Sequence, residues 1–391
     1  MNRNLWLLAV CQGLFLTNNV TFIAINGLVG LSLAPTAWMA TLPVMGYVVG
    51  GALSTTLVTR TQQRLGRKGS FQLGLLVAMA SALVCGYAAW ASHFWLLVAA
   101  TLVAGYYNAN AQLYRFAAAE LAAPAFREKA VSLVMAGGLI GAIAGPNLAA
   151  ATRTLTSVPF AGAYLALAGV AALAMALLSA IDFPPPPRHK AGSGGRPLSE
   201  IMLQPAFVVA AAAGALGYGV MNLLMAATPI AMQHQNLPFS DAALVLEWHV
   251  IGMFAPGFFT GHLIRRFGTL TIMTAGLLLN LVCVAIALSG ANMHHFLGAL
   301  FLLGVGWNFL FTASTTLALT TYRPEEKDRA QGALNFCVFS VLAVSSLASG
   351  ALVTAQGWTL LNLVSLAPLV LIGSALLWLA LDMRSTRLKA G

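Results

Sequence analysis

Acidic side chains are scarce in this chain: Asp and Glu number 10 in 391 residues, and all charged residues together make 8%. A soluble globular domain carries roughly 25%, so a soluble fold of this length is excluded. So few carboxylates also leave little material for a hydrolytic centre or for a cage of oxygen ligands around a hard cation. Cysteine is sparser still. Cys11, Cys85, Cys283 and Cys337 show no Cys-x-x-Cys spacing, and all four fall within apolar stretches, where they read as small buried hydrophobes. No Gly-rich phosphate loop, nucleophile elbow or zinc-protease motif occurs. An enzyme is not expected.

What the chain has in abundance is apolar length. Hydrophobic residues make 59% of it, and runs of at least about 20 residues, enough to cross a bilayer core as helix, recur throughout. Twelve are expected, near 5–30, 36–58, 70–91, 94–118, 130–151, 159–181, 205–232, 242–264, 269–290, 295–321, 330–354 and 359–381. The first contains Gln12, Asn18, Asn19 and Asn26 and reads as a span, not as a cleaved signal peptide. The fold class expected is therefore an all-α membrane protein.

The net charge of +10 does not imply nucleic acid, because the basic residues alternate along the chain. They gather at Arg60, Arg64, Arg67 and Lys68, at Arg127 and Lys129, at Arg188, Lys190 and Arg196, at Arg265 and Arg266, at Arg323, Lys327 and Arg329, and at Arg384, Arg387 and Lys389. The intervening connections are nearly free of them, Arg153 excepted. Positive residues mark the cytoplasmic side, so both termini and the long central connection are expected there.

That connection, with Pro184 to Pro187 and the Gly-Ser stretch Gly192 to Gly195, reads as a linker over 183–204. It separates two blocks of six spans, 1–182 and 205–391. The blocks repeat: Arg64-Leu65-Gly66-Arg67-Lys68 follows the second span, and Arg265-Arg266-Phe267-Gly268 follows the eighth. Likewise Arg127-Glu128-Lys129-Ala130 opens the fifth span and Lys327-Asp328-Arg329-Ala330 the eleventh. Parallel repeats of six spans belong to carriers that rock one half against the other.

In these features the chain resembles the major facilitator superfamily, whose loop after the second span typically reads Gly-x-x-x-Asp-Arg-x-Gly-Arg-Arg/Lys. Here Arg64, Gly66, Arg67 and Lys68 match, with Gln63 at the acidic position; the second copy, Gly261 to Gly268, also lacks the acid. The resemblance implies two six-helix bundles and alternating access. It also implies a latch of charged contacts at this loop, from which the acids of the motif are missing.

Two pairs of soft ligands stand out within the spans. Met221 and Met225 lie four residues apart in the seventh, and His249 and Met253 four apart in the eighth. That spacing places each pair on one helix face, and thioether with imidazole suits copper better than hard cations. Methionine also fills cores without further purpose. The combination resembles the CcoA-type copper importers, a bacterial inner-membrane branch of the superfamily marked by Met-x-x-x-Met in helix seven and His-x-x-x-Met in helix eight. Tyr114-Arg115-Phe116-Ala117-Ala118-Ala119-Glu120, with Phe126-Arg127-x-Lys129-Ala130, looks like the wider group, which includes riboflavin-type carriers. The resemblance implies import of copper as a transported substrate, bound by Met221, Met225, His249 and Met253, and supply of a haem-copper oxidase. No cofactor is expected; copper ion, the lipid bilayer and protons as coupling ion are the expected partners, and a monomer is the expected state.

An organic cargo stays open beside copper. Gln12, Asn18, Tyr106, Tyr107, Asn108, Asn110, Tyr114, Asn222, Trp307, Asn308 and Asn335 can be glue between helices or the lining of a riboflavin or drug pocket. Glu247 is either a solvated rim acid or a proton-coupling group. Arg115 either reaches the interface or Glu120, or binds an anionic substrate. Met232 and His234 could collect ions outside, whereas the adjacent His294 and His295 share no helix face and are left unassigned.

Overall fold

The computed structural model describes residues 3–123, 127–183, 195–323 and 326–390, and every regular element among them is helical. Before the linker come α1 (Arg3–Leu33), α2 (Leu42–Trp90), α3 (Phe94–Ala111), α4 (Tyr114–Leu121), α5 (Arg127–Ala136), α6 (Gly138–Thr152) and α7 (Ala161–Ser179). After it come α8 (Leu198–Met202), α9 (Pro205–His234), α10 (Phe239–Phe254), α11 (Gly257–Phe267), α12 (Thr269–Ser289), α13 (Met293–Leu319), α14 (Lys327–Ala355) and α15 (Gly357–Ala390). Residues 184–194, most of the expected linker, lie outside the described residues.

Nine helices among the described residues are long and apolar enough to cross a membrane, ten with the bent pair α10 and α11. The twelve expected traverses follow once the breaks are located. At 49 residues α2 would run about 74 Å as one rod, more than twice a bilayer core of about 30 Å. Gly66, at φ 70°, turns the chain back there, and the basic residues Arg64, Arg67 and Lys68 sit at that turn. Helices α3 and α4 form one traverse interrupted at Gln112 and Leu113, and α5 and α6 another interrupted at Gly137. A side chain at Gly137 would collide with the Ala9 carbonyl of α1, so close helix contact requires glycine at this break. The eighth span bends by 43° between α10 and α11, where Pro256 supplies no amide donor.

Exposed faces remain apolar, as a bilayer requires: Leu53, Trp90, Phe336, Val344 and Val370 all point outward. Within the first half α1 packs on α6 and α7, and α2 on α3 and α7; within the second α9 packs on α13, α14 and α15, and α12 on α13 and α15. The halves meet along α1 with α9, α2 with α14, and α6 with α10. Arg3 donates to the Ala180 carbonyl at 3.2 Å, which places the start of α1 beside the end of α7.

The loop after the second traverse has an acid after all. Arg67 grips both Glu120 carboxylate oxygens, at 3.0 and 2.6 Å, and donates to Gln62 at 3.0 Å. The motif's missing acid is thus supplied by the end of α4. In the second half the clasp is built differently: Arg196 donates to both Glu326 oxygens at 3.0 and 2.8 Å and to the Thr321 carbonyl at 2.9 Å. The guanidinium of Arg196 and the amides of Arg323 and Arg196 hold the Glu326 carboxyl well below the usual carboxylate range.

Candidate functional site

Helices α9 and α10 both pack on α13, and this shared neighbour sets the relative depth of the soft pairs. Tyr218 of α9 meets Trp307 of α13 edge to face at 5.1 Å. Counting from that contact, Met225 lies seven residues along α9 and Leu300 seven residues back along the antiparallel α13, each about 10.5 Å away. The ring of His249 bonds the Leu300 carbonyl at 2.7 Å. Met225 and His249 are therefore level. Met221 lies about 4.5 Å from the same contact, as does Gly304, and a side chain on Gly304 would meet the Met253 amide at 3.0 Å. Met221 and Met253 form the second level.

All four side chains are buried. A carbonyl can only accept, so Nδ1 of neutral His249 carries the proton and Nε2 carries the lone pair. Nε2 is shut off from solvent and has no hydrogen-bond partner. A second group that fixes one ring nitrogen and leaves the other free is the usual support of a metal-binding imidazole. The bend after α10 adds to this: the Met253 carbonyl, in the last turn of α10, accepts from Asn308 at 2.7 Å, and Asn308 in turn accepts from Thr260 at 2.7 Å.

A second constellation lies one step along the same helices. Trp307 stacks on Phe311 at 5.2 Å with 9° between planes. Tyr218 meets Phe311 edge-on at 5.3 Å, and Phe254 meets Trp307 at 6.3 Å. Phe254 also packs against the first-half cluster around Leu16 and Phe15, so this aromatic group stands where the halves meet. Arg115 of α4 lies within electrostatic reach of Tyr218 across that boundary. Its expected partner is engaged elsewhere, since both Glu120 oxygens are held by Arg67. Its Nε is buried without a hydrogen-bond partner, and its guanidinium lies over the Phe116 ring at 5.0 Å. The indole Nε1 of Trp307 is likewise buried without a partner.

The polar residues singled out in the sequence divide by partner. Asn110 bonds the Ser70 carbonyl at 2.8 Å, Asn222 bonds Ser345 and Ser346 at 2.9 and 2.8 Å, and Tyr106 bonds Thr61 at 2.8 Å; these are interhelical glue. Asn18 and Asn108 are buried with carbonyl oxygens that lack partners, and Asn335 is exposed. Glu247 accepts from Asn147 at 2.8 Å, joining α10 to α6 across the halves. Met232 is fully buried while His234 is exposed, so they do not form an outer collection point. Asn292 caps α13 by accepting from the His295 amide at 3.1 Å, and the His295 ring meets the same oxygen at 2.7 Å. The four cysteines are unpaired, and no group of three His, Cys, Asp or Glu gathers among the described residues.

Residues 5–337 and 210–390 match the model described as Major Facilitator Superfamily. The riboflavin transporter RfnT of Brucella anthropi is 38% identical over 363 residues, 92% of this chain and 91% of that protein. The crystal structure of the nucleoside transporter NupG aligns with a TM-score of 0.74 at 12% identity, over 96% of this chain and 99% of that one. A bacterial homologue of the iron transporter ferroportin, in an inward-facing state, aligns with a TM-score of 0.69 at 16% identity over 96% and 98%. At such identities these two likenesses speak for the fold alone.

Proposed function

The chain belongs to the major facilitator superfamily, as a multi-pass secondary transporter and not an enzyme, and from that premise we propose that its cargo is a planar heteroaromatic molecule of the riboflavin class. The observation that carries this reading is the 38% identity to RfnT across 92% of the chain. The aromatic group of Tyr218, Trp307 and Phe311 supports it, because ring faces flanked by a few polar donors are what an organic ligand site requires. Transport proceeds by rocking of the two halves around the boundary where this group stands. We place the carrier in a bacterial inner membrane with both termini cytoplasmic, on the distribution of Arg and Lys.

This order reverses the expectation drawn from the soft pairs. A relative named for riboflavin is similar over nearly the whole chain, whereas the copper expectation rests on four side chains. Copper import keeps one specific support, the free Nε2 of His249 level with Met225 and fixed by the Leu300 carbonyl. In this second reading neutral thioethers at Met221, Met225 and Met253 bind without losing a proton, and copper competes with a proton only at His249. Supply of copper to an oxidase belongs to this reading alone.

The test is paired uptake of radioactive riboflavin and radioactive copper by cells that lack carriers for both and express this chain. Riboflavin accumulation well above the empty-vector level, with copper at that level, is expected. Copper accumulation without riboflavin would replace the first reading by the second.

A further inference from the structure

We propose that Arg115, Tyr218 and Trp307 form a recognition site, between the halves, for an aromatic ligand that presents a carbonyl or carboxylate edge. The inference deepens the riboflavin-class reading by assigning the group that would meet the ligand's electron-rich edge. Three observations carry it. Arg115 has no hydrogen bond or ion pair among the described residues, its Nε is buried, its guanidinium rests over the Phe116 ring at 5.0 Å, and the carboxylate nearest in sequence, Glu120, is already held at both oxygens by Arg67. Trp307, on the opposite half, has a buried Nε1 with nothing to donate to. Tyr218 links the two donors: it meets Trp307 edge to face at 5.1 Å and lies within electrostatic reach of Arg115, while Phe311 stacks on Trp307 at 5.2 Å.

Chemistry fixes the ligand class. Two donors without acceptors call for a ligand that accepts, and a guanidinium favours an acceptor that is anionic or strongly dipolar. Aromatic walls call for a planar apolar body, and rings can also stack on the guanidinium face. The edge of a flavin that carries two carbonyls meets these requirements, and so does an aromatic carboxylate. Because Arg115 belongs to one half and Trp307 and Tyr218 to the other, such a ligand would bridge the boundary that must move during transport.

The test uses the full-length protein in lipid nanodiscs, titrated calorimetrically with riboflavin and separately with 2-naphthoate, for the parent and for Arg115→Met and Arg115→Lys. The expected result is a loss of affinity of at least tenfold in Arg115→Met for whichever probe the parent binds, with a smaller loss in Arg115→Lys. Thermal unfolding without ligand separates recognition from support. Arg115 makes no ion pair whose loss would weaken the fold, so the midpoint of Arg115→Met should equal or exceed that of the parent. Riboflavin binding that is unchanged in Arg115→Met overturns the site but leaves the riboflavin reading intact. Binding of naphthoate alone, dependent on Arg115, upholds the site and removes the riboflavin reading. No binding of either probe by the parent, or a clearly lowered midpoint in Arg115→Met, overturns the site.

Discussion

At the scale of single residues, sulfur and nitrogen in the second half are separable from the organic site. Met221 and Met225 lie further along α9 than Tyr218, at the level of Met253 and His249, and a Leu at either position conserves volume and apolarity. The Met221→Leu, Met225→Leu double variant should therefore keep riboflavin uptake within about twofold of the parent at equal membrane abundance, the range a volume-conserving swap allows. Any copper uptake by the parent should disappear in it. Loss of riboflavin uptake with copper uptake preserved would show that these methionines line the organic path and are not ligands. The soft pairs were legible because helical spacing alone puts positions four apart on one face. The fate of Arg115 was not. Glu120, five residues on, is its natural partner in sequence, but the turn at Gly66 brings Arg67 to that carboxylate from 53 positions away, and such a contact leaves no local signal. The sorting of Asn110 and Asn222 into glue and of Asn18 and Asn108 into unpartnered groups depends in the same way on residues far along the chain.

At the scale of elements, the breaks are what the apolar runs concealed. Length and hydropathy gave twelve traverses, but the interruptions at Gln112, Gly137 and Pro256 fall inside runs that stay apolar, so composition does not change there. One contact between elements bears directly on alternating access. The Thr41 hydroxyl, just before α2, donates to the Ser346 carbonyl at 2.5 Å and accepts from the Gly350 amide at 3.0 Å, bridging positions four apart on α14. Gly350 has no room for a side chain beside Thr41, so the Thr41 side chain lies directly against the backbone of α14. Replacing Thr41 by Val keeps the shape and removes both hydrogen bonds, each worth about 1 kcal/mol net. The expected outcome is a shift of roughly tenfold or more toward conformers in which this end is open, given that about 1.4 kcal/mol is a factor of ten. Distances between spin labels on α2 and α14 at that end would read it, and an unchanged distribution would remove Thr41 from the seal.

The clasp at the other end is a charge device with a predictable pH window. Glu326 is buried, held by Arg196 and by the amides of Arg196 and Arg323, and its carboxyl is depressed below the ordinary range. A depressed carboxylate contributes stability that is fully present above the unfolded-state value, about 4.3 for Glu, and is lost as pH falls through the folded-state value. Glu326→Gln should accordingly unfold a few degrees below the parent at neutral pH, with the gap narrowing as pH drops below that reference. A gap that stays constant from neutral pH down into strong acid would show that the carboxylate charge plays no part.

At the scale of the whole molecule, the distribution of basic residues and the packing of the halves meet at Arg153, the exception to the alternation of charge. Its guanidinium lies over Phe160 at 5.4 Å and over Phe239 at 5.7 Å, and those rings contact each other at 5.0 Å. Phe160 belongs to the first half and Phe239 to the second, so this arginine is fixed by aromatic faces across the boundary. It borders a cavity of about 510 Å³ shared by α1, α9 and α10. A cation held in this way has a structural reason to sit away from the other basic clusters, and the orientation argument can be made without it. Arg60 and Arg64, Arg265 and Arg266, and Arg196 all lie at the end where Arg3 meets Ala180 and where α8 begins, and short basic connections stay on the cytoplasmic side. Leu203, exposed after α8, reports that side. Leu203→Cys in a variant whose four native cysteines are replaced should resist an impermeant thiol reagent applied to intact spheroplasts and react once the membrane is opened. A cysteine at Ser92, at the opposite end beside the same cavity, should show the reverse. Labelling of Leu203→Cys from outside intact cells would invert the orientation.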